Sequence, residues 1–459
     1  MIDRQHLAAL HAREEQRFVD THPRSGELAV EARNHLLGGV PMAWMTRWPG
    51  AFPLFFDTAA GARFTDVDGI EYVDFCLGDT GAMTGHALPQ VAEALHNQAL
   101  KGITTMLPNA DAAWVGAELA RRFGLPAWQM AMTATDANRF VLRYARALTG
   151  RNKVLVFDWC YHGSVDEALV TLSADGRTQP REGSVGPQVD PAQTTVVVPF
   201  NNVPALEAAL ATGEIACVLA EPALTNIGIV LPDPGFLDAL RSLTRLHGTL
   251  LVIDETHTIC AGPGGATRAW GLEPDFFVIG KTIGGGMPAA AYGCTAEIAV
   301  RIDALLADAN VDTSGVGGTL TGNALAMAAV RATLSTALGE ADFAVMIPMA
   351  EAWARGVQDT IDEFALPWTV QRLGCRAEYW FCPPPRDGAA AAAAVDHELD
   401  AFMHLWAINR GILLTPFHNM ALLSPHHTLA DVDLHTRVFR GAVEALLEGG
   451  DPRPPQDGV

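Results

Sequence analysis

The sequence predicts an α/β protein in which a large domain has a mainly parallel central sheet and a smaller α/β domain follows at the C-terminus. Two observations lead to this prediction. From His86 to about Met327, short apolar runs alternate with amphipathic helical patterns, as expected for parallel strands connected by helices on both faces of a sheet. Beyond Asn323 longer helical patterns dominate, which indicates a second domain.

The N-terminal part of the chain precedes the alternating region. Residues 5–37 have a helical pattern, and the Pro-, Trp- and Phe-rich segment 41–56 has no regular period. Residues 62–74 contain two short strand patterns on either side of Asp68-Gly69, which predicts a β-hairpin. We therefore expect three parts, comprising residues 1–85, 86–325 and 326–459, with the first packing against the last.

The individual elements follow from hydrophobic period and from turn residues. The predicted strands of the large domain are Lys153–Phe157, Thr194–Val198, Ala216–Ala220, Leu250–Ile253, Phe276–Ile279 and Ala289–Cys294. Its predicted helices are Pro89–Lys101, Asp111–Phe123, Asp136–Leu148, Val203–Ala211 and Gly235–His247. In the rest of the chain we expect helices at 324–338, 343–364 and 396–410, loops at 172–191 and 389–394, and a disordered tail at 449–459.

Composition and charge restrict the class of protein. Of 459 residues, 49% are hydrophobic and 18% are charged, which is typical of a globular protein. The net charge of −21 argues against binding nucleic acid or an anionic membrane through general electrostatics. The seven cysteines form no CxxC pair, and the N-terminus lacks the apolar stretch of a signal peptide. We expect a soluble, cytoplasmic protein without a metal site, a nucleic-acid partner or a membrane segment.

Asp254 and Lys281 are the first candidates for chemistry. Asp254 follows the apolar run 249–253, and Lys281 follows a second run, 276–279. Ligands of open α/β sheets bind beyond the carboxyl ends of the strands, so we expect this acid and this amine to face one pocket. Such a pair suits pyridoxal phosphate (PLP), because the amine bonds to the cofactor aldehyde while the carboxylate holds the pyridine nitrogen protonated. Taken alone, the pair could also be a structural aspartate and a solvated lysine.

Two further segments fit a phosphate-bearing aromatic cofactor. Residues 133–138 (TATDAN) open a predicted helix, whose N-terminal N–H groups and threonine hydroxyls can bind a phosphate. Tyr161-His162-Gly163 follows a predicted strand, where the ring of Tyr161 can lie on the pyridine face and the glycine allows a close approach. Simple helix capping is the alternative for the first segment.

Two later segments complete the set. Glu221 ends a predicted strand, and the amide of Asn226 beyond it can donate to a phenolate oxygen. Residues 317–323 (GGTLTGN) open a long predicted helix and contain Thr319, which could reach a phosphate. No single segment identifies the cofactor, but the order and spacing of all the segments around Asp254 and Lys281 do.

With these motifs, the chain resembles the class III (ω-type) PLP-dependent aminotransferases of fold type I. The resemblance runs from DVDGIEYVDF to the final helix and includes RYARALTGRNKVLVFDWCYHG, EPALTNIG, LLVIDE, GLEPDFFVIGKTIGGGMP and GTLTGN. The chain looks closest to the branch that contains glutamate-1-semialdehyde aminomutase and the β-amino-acid and amine transaminases. The resemblance implies a fold type I architecture, PLP as cofactor, and a homodimer whose active sites are shared across the interface.

The resemblance also implies roles for individual residues. Lys281 would bond to PLP and, once freed, move a proton between substrate and cofactor, while Asp254 would pair with the pyridinium nitrogen. The other implied cofactor contacts are Tyr161 stacked on the ring with His162 beside it, Asn226 at the 3-oxygen near Glu221, Thr256 against the ring, Ala134 and Thr135 at the phosphate, and Thr319 at the phosphate of the partner subunit.

Three features depart from the usual pattern of that family. Ala134 stands where a glycine is usual, Thr256 stands where an apolar side chain is usual, and residues 257–260 (HTIC) replace a TGFR motif. The arginine of that motif is therefore missing. The departures leave PLP binding as expected but weaken any substrate assignment copied from the family.

Arginine is the natural partner of a substrate carboxylate, because its guanidinium binds both oxygens. Arg47 and Arg376 are the candidates, and related β-amino-acid transaminases favour Arg47; each could instead form a surface ion pair. Trp48 and its aromatic neighbours could line the pocket or pack at the dimer interface. His418 could lie near the pocket entrance or be structural.

The resulting prediction is an aminotransferase that moves an amino group from an amine or a β/ω-amino acid to pyruvate or 2-oxoglutarate by a ping-pong mechanism. An intramolecular aminomutase of the glutamate-1-semialdehyde kind is the alternative, because the EPxxxNxG pattern fits that branch. A PLP-fold binding protein without turnover is a third hypothesis, and the intact pair of Asp254 and Lys281 argues against it.

Overall fold

The computed structural model describes residues 2–186 and 189–448. The tail that was expected to be disordered, 449–459, lies outside the described residues. The strands are β1 (Phe56–Ala60), β2 (Arg63–Asp66), β3 (Glu71–Asp74), β4 (Ala127–Ala131), β5 (Lys153–Phe157), β6 (Val170–Leu172), β7 (Thr178–Pro180), β8 (Thr195–Val198), β9 (Ile215–Ala220), β10 (Leu250–Asp254), β11 (Phe276–Ile279), β12 (Ala290–Cys294), β13 (Thr369–Leu373), β14 (Arg376–Trp380), β15 (Ile412–Leu413) and β16 (Met420–Leu422).

The helices cover both faces of the largest sheet and most of the C-terminal third. They are α1 (Arg4–Thr21), α2 (Pro23–Ala32), α3 (Pro89–Ala99), α4 (Ala110–Phe123), α5 (Ala134–Thr149), α6 (Val203–Leu210), α7 (Phe236–Leu246), α8 (Gly265–Ala269), α9 (Ala296–Leu306), α10 (Ala324–Thr336), α11 (Glu340–Glu363), α12 (Gly388–Ala393), α13 (His397–Ile408) and α14 (Leu429–Leu447). In the described part of the chain, no helix is long and apolar enough to cross a membrane.

The central sheet has the strand order β4-β12-β11-β10-β9-β5-β8. The five strands from β11 to β8 run parallel, whereas β12 is antiparallel to both of its neighbours. Every residue of β9, β10 and β11 is buried, as expected for parallel strands covered by helices on both faces. The prediction of a mainly parallel central sheet in an α/β protein is confirmed.

Sheets outside the central one connect distant parts of the chain. The predicted hairpin is confirmed as β2 and β3, and β15 adds to β3 as a parallel strand in the order β1-β2-β3-β15. This sheet therefore joins the N-terminal region to the C-terminal region. A second sheet, β13-β14-β16, lies in the C-terminal third. The three-part division at residues 85 and 325 stays a prediction.

Some expected elements were wrong in detail. The single helix expected over residues 5–37 is two helices, α1 and α2, because Pro23 lacks the N–H that a continuous helix needs. The expected loop at 389–394 is the helix α12, which begins where the Asp387 side chain accepts a hydrogen bond from the N–H of Ala390. The expected loop at 172–191 carries the short antiparallel pair of β6 and β7.

Leu219 in β9 and Leu246 at the end of α7 provide a matched test of the core. Leu219 is fully buried and Leu246 is 73% exposed. We expect Leu219→Ala to lower the free energy of unfolding by about 3–5 kcal/mol, because it leaves a cavity between sheet and helices. Leu246→Ala is expected to change it by less than about 0.5 kcal/mol. Urea unfolding followed by circular dichroism measures both, and equal losses would contradict the assignment of the core.

Candidate active site

The register between β10 and β11 brings Asp254 and Lys281 to one edge of the central sheet. Asp254 pairs with Val278, and Lys281 follows three residues later, after β11 ends. Both side chains line a cavity of about 330 Å³ at the carboxyl ends of the strands. The shared pocket expected from the two strand ends is therefore present in the fold.

Asp254 is a buried carboxylate that accepts hydrogen bonds from three segments. Asn138 of α5 donates through Nδ2 at 2.9 Å, the Nδ1 of His162 lies at 2.9 Å, and Thr256 donates through its hydroxyl at 2.6 Å and through its N–H at 3.1 Å. Burial alone raises the pKa of Asp254, but His162, Thr256 and Asn138 outweigh it and lower that pKa to about 2. The hydroxyl of Thr256 thus holds the carboxylate.

His162 is the charged partner of Asp254. Burial opposes its charged form, but interactions with Cys160 and with Asp254 outweigh burial and raise the pKa of His162 to about 10. An aspartate and a histidine at 2.9 Å therefore form an ion pair at the base of the cavity. A fixed negative oxygen in a protected site is what a protonated pyridine nitrogen requires.

The N-terminus of α5 forms another wall of the same cavity. Thr133 caps this helix by accepting from the N–H of Asp136 at 3.2 Å, and Thr133, Ala134 and Thr135 all line the cavity. Free N–H groups at a helix N-terminus attract an anion. Ala134, which departs from the family pattern, lies in the first turn of the helix without breaking it.

Gly163 allows the loop after β5 to approach this helix. Its φ is +78°, and a Cβ at this position would lie 1.9 Å from the Oγ1 of Thr135. Thr135 in turn accepts a hydrogen bond from the N–H of Ser164 at 3.1 Å. Within this tripeptide, Tyr161 therefore lines the cavity, His162 is the partner of Asp254, and Gly163 makes the close approach to α5.

Glu221 faces the cavity from the end of β9. Thr225 donates to one carboxyl oxygen, and the other, Oε1, is buried without a hydrogen-bond partner among the described residues. Burial raises the pKa of Glu221 to about 7, against the opposing effects of His162 and Thr225. Near neutral pH this carboxyl group retains a proton in part of the molecules, so it can donate a hydrogen bond into the cavity.

A second cavity of about 300 Å³ adjoins the first. Trp44 and Tyr161 line both, with their ring centroids 5.6 Å apart. The residues that line only the second cavity include Arg47, Asp79, Arg181, Asn226, Phe417 and His418. Arg47, Asn226 and His418 were candidates from the sequence, and the fold places all three here. Asn226, expected at the cofactor, does not line the first cavity.

Lys281 has polar neighbours that the sequence did not indicate. Its Nζ lies 2.8 Å from Oδ2 of Asp79, 2.9 Å from the backbone oxygen of Asp79 and 2.8 Å from Nε2 of His257. Asp79 lies in a turn where it and Thr80 have positive φ angles of 49° and 84°. No motif marked Asp79, whereas the loss of the family pattern at residues 257–260 was a signal for His257.

The remaining candidates lie away from the two cavities. Arg376 is buried in β14 and contacts Thr80 and His257, so it does not line either cavity. Trp48 is half-buried and lines neither. Thr319 lies in a separate surface depression near residues 314–323, so any phosphate contact from it would have to be made to another copy of the chain. Roles for these residues stay predictions.

The residues of the first cavity fit PLP. Asp254 supplies the buried negative charge, α5 supplies the anion site, and Tyr161 supplies an aromatic wall. Glu221, whose Oε1 has no hydrogen-bond partner among the described residues, lines the same cavity. Lys281 is within the same cavity. Fold and site together define a PLP-dependent enzyme of fold type I.

Comparison with known proteins agrees with this class. The family model described as aminotransferase class III matches residues 44–352. The chain therefore belongs to the class III aminotransferase family, and PLP is the cofactor of this fold.

Its relatives include aminomutases and transaminases. The crystal structure of a glutamate-1-semialdehyde aminomutase from Pseudomonas aeruginosa PAO1 is 51% identical, covers 97% of this chain and 100% of its own, and has a TM-score of 0.95. A second structure of that protein, a lysine-to-alanine variant, is in complex with PMP. A glutamate-1-semialdehyde 2,1-aminomutase from Sorangium cellulosum is 34% identical over 93% of this chain and 98% of its own. An omega-transaminase from Sphaerobacter thermophilus is 27% identical, with a TM-score of 0.85 and coverage of 92% and 97%.

These relatives correct the predicted reaction. We expected an aminotransferase that passes its amino group to an external keto acid, but the relatives at 51% and 34% identity are aminomutases. The physical reason for the error is that the residues behind the prediction, Asp254, Lys281 and the phosphate site, hold the cofactor. Cofactor-holding residues are common to both reactions and do not distinguish them.

Gly163 and Gly176 form a matched pair for testing the phosphate wall. Both have φ of +78°, but an added Cβ at Gly176 meets nothing within 4 Å. We expect Gly163→Ala to weaken PLP binding at least about tenfold, a loss of about 1.4 kcal/mol, because the clash displaces Thr135. Gly176→Ala is expected to leave the affinity unchanged. Titration of the cofactor-free chain with PLP, followed by protein fluorescence, measures both, and equal affinities would contradict the role of this wall.

The raised pKa of Glu221 predicts how stability changes with pH. Between about pH 4.5 and pH 7 the folded chain holds a proton on Glu221 that the unfolded chain releases, so the free energy of unfolding falls as pH rises. Relative to Glu221→Gln, we expect the cofactor-free wild type to lose on the order of 1–3 kcal/mol across this window. Urea unfolding of both proteins at pH 5, 6, 7 and 8 measures this, with the exposed Glu207→Gln as control. A constant difference between wild type and Glu221→Gln would exclude a buried, protonated Glu221.

Proposed function

We propose that this protein is a glutamate-1-semialdehyde 2,1-aminomutase, an isomerase that needs no external amino acceptor. The observation that carries the proposal is the 51% identity to the Pseudomonas aeruginosa aminomutase over 97% of the chain. The omega-transaminase from Sphaerobacter thermophilus is only 27% identical, so the chain is more similar to the Pseudomonas aeruginosa aminomutase than to this transaminase. The 34% identical aminomutase of Sorangium cellulosum, matched along 98% of its length, supports the same assignment.

The proposed reaction moves nitrogen within one carbon chain. The substrate carries an amino group at C2, an aldehyde at C1 and a carboxylate at the far end, and the product, 5-amino-4-oxopentanoate, has the same atoms with nitrogen on C1 and oxygen on C2. Asp254 and the N-terminus of α5 would hold the amine form of the cofactor, which would supply the nitrogen exchanged between C1 and C2, so the balance requires no keto acid. PLP, when bound, supplies the electron sink that lets a carbon next to nitrogen lose its proton.

The residues of the first cavity have different roles in the proposed reaction. Asp254 would pair its negative charge with the pyridine nitrogen, and its pKa of about 2 keeps that charge at every physiological pH. The N-terminus of α5 would anchor the phosphate. Lys281 is the group that holds or moves a proton at the reacting carbon, since it brings a primary amine to the lining of this cavity.

The second cavity suits the rest of the substrate. It adjoins the first at Trp44 and Tyr161, so a ligand can extend from one into the other. Arg47 and Arg181 line it, and a guanidinium is the natural partner of a carboxylate. We assign the terminal carboxylate of the substrate to this cavity, with Arg47 as the first candidate contact and Arg181 as the second.

The proposal includes an assembly and a location. A homodimer with shared active sites would bring Thr319 of each copy to the phosphate of the other, which is consistent with the position of Thr319 away from its own cavity. We also place the enzyme in the cytoplasm, where its relatives' small-molecule substrate would be available.

The aminomutase assignment predicts product from one substrate. We expect the enzyme, loaded with pyridoxamine phosphate and given glutamate-1-semialdehyde alone, to form 5-amino-4-oxopentanoate, which chromatography separates from its isomer. Lys281→Ala is expected to reduce the rate by about 10²- to 10⁴-fold, because it removes the acid–base group. Lys153→Ala changes a lysine that pairs with Glu214 at the surface, and serves as the control.

A transaminase would give a different pattern. It would consume amines only in the presence of pyruvate or 2-oxoglutarate and would form no product from the semialdehyde alone. That result, with Lys281 still required, would refute the aminomutase and retain the PLP enzyme.

A further inference from the structure

His257 connects Lys281 to a buried arginine. The Nε2 of His257 lies 2.8 Å from the Nζ of Lys281, and its Nδ1 lies 3.0 Å from an Nη of Arg376. The same Nη donates to the hydroxyl of Thr80 at 2.6 Å, and that hydroxyl lies 3.0 Å from Nδ1. Arg376 is 1% exposed, so water does not compete for these contacts.

The arginine determines which ring nitrogen carries the proton. A guanidinium has N–H donors and no acceptor, so Nδ1 of His257 must offer a lone pair to Arg376. A neutral imidazole without a proton on Nδ1 carries its proton on Nε2. The Nε2–H then points to the Nζ of Lys281.

The three neighbours of Lys281 match an uncharged amine. An ammonium has three N–H groups and no lone pair, so it would set one donor against the Nε2–H of His257. An uncharged amine has two N–H groups for the two oxygens of Asp79, at 2.9 and 2.8 Å, and one lone pair for Nε2–H. Each of the three contacts then joins a donor to an acceptor.

The charges around His257 are consistent with this arrangement. Lys281, Asp79 and Arg376 face it, with Asp254 further away. Burial and the charge of Arg376 hold the pKa of His257 well below its ordinary value, against the effect of Asp79. The carboxylate of Asp79 balances the permanent charge of Arg376, so an uncharged Lys281 leaves these groups without net charge.

We propose that His257 is a positioning residue, held by Arg376 as the Nε2–H tautomer, which keeps the Nζ of Lys281 as an uncharged amine able to accept a proton. Arg376, expected from the sequence as a ligand of the substrate carboxylate, thereby acts through His257 and not on the substrate. The proposal rests on the acid–base role of Lys281 in the proposed function, but it does not depend on which substrate the enzyme takes.

Lysine NMR tests this directly, because the chain contains only three lysines, Lys101, Lys153 and Lys281. The full-length protein is labelled with ¹³C at lysine Cε and loaded with pyridoxamine phosphate, which leaves Lys281 without a covalent bond. At pH 8 we expect ammonium signals from Lys101 and Lys153 and an amine signal from Lys281, assigned by its absence in Lys281→Ala. An ammonium signal from Lys281 at pH 8 would overturn the proposal.

Two substitutions at His257 distinguish the effect of its hydrogen bond to Lys281 from the effect of its size. His257→Met removes the donor, and we expect the titration midpoint of Lys281 to rise by at least one pH unit, a tenfold change in the ratio of amine to ammonium. His257→Gln keeps an amide N–H within reach and is expected to retain most of the wild-type behaviour. Arg376→Met should act like His257→Met, because it frees the ring to change tautomer.

The same variants define the results that would contradict the proposal. An unchanged midpoint in His257→Met would refute the proposal, and so would equal midpoints for His257→Met and His257→Gln. If Arg376→Met does not fold, the two substitutions at His257 decide the question without it. No substrate is present in the measurement, so a failure here is distinct from a failure of the aminomutase assignment.

Discussion

The buried charge of Asp254 is the constraint on which the site depends. A carboxylate that is withdrawn from water requires donors to replace its hydration, and this one receives them from α5, from the loop after β5 and from the loop after β10. Asn138, His162 and Thr256 must therefore hold fixed positions around the end of β10. Because α5 and the loop that carries Tyr161 are placed by these bonds, the anion site and the aromatic wall take their positions from the same carboxylate.

A second polar cluster surrounds Lys281. Asp79 and His257 contact its Nζ, and Arg376 contacts His257. In the proposed function the two clusters separate two tasks, since one holds a permanent negative charge while the other surrounds the amine that we propose gains and loses a proton. Sites that carry out acid–base chemistry commonly keep such groups in different electrostatic surroundings.

Family and reaction were determined by different kinds of information. The motifs around Asp254 and Lys281 were sufficient for class III and PLP, because their chemistry is dictated by the cofactor. They were insufficient for the reaction, and the expected transfer to a keto acid was wrong. The second cavity, to which we assign the substrate carboxylate, is built from residues as far apart as Arg47, Arg181 and His418, and no local pattern links such positions.

Prediction of the elements succeeded where the local signal was strong. Strands such as Lys153–Phe157 and Phe276–Ile279 are continuous apolar runs, and both were predicted at their observed bounds. Strand β4 was missed because it lies at the edge of the sheet, where AWQMA is only partly buried and lacks such a run. The expected helix over residues 5–37 was too long because the break at Pro23 was overlooked.

The sequence by itself determined the central sheet, the cofactor and the pair of Asp254 and Lys281, because strand ends and helix starts are local features whose chemistry can be read in order. Only the tertiary structure decided what surrounds Lys281. Asp79, His257 and Arg376 come from three distant segments, and their hydrogen bonds exist only once β11, β14 and the turn at residues 77–80 have packed together. Arg376 shows the reason most clearly, since an arginine in a strand pattern has no marked partner until the fold buries it against a histidine.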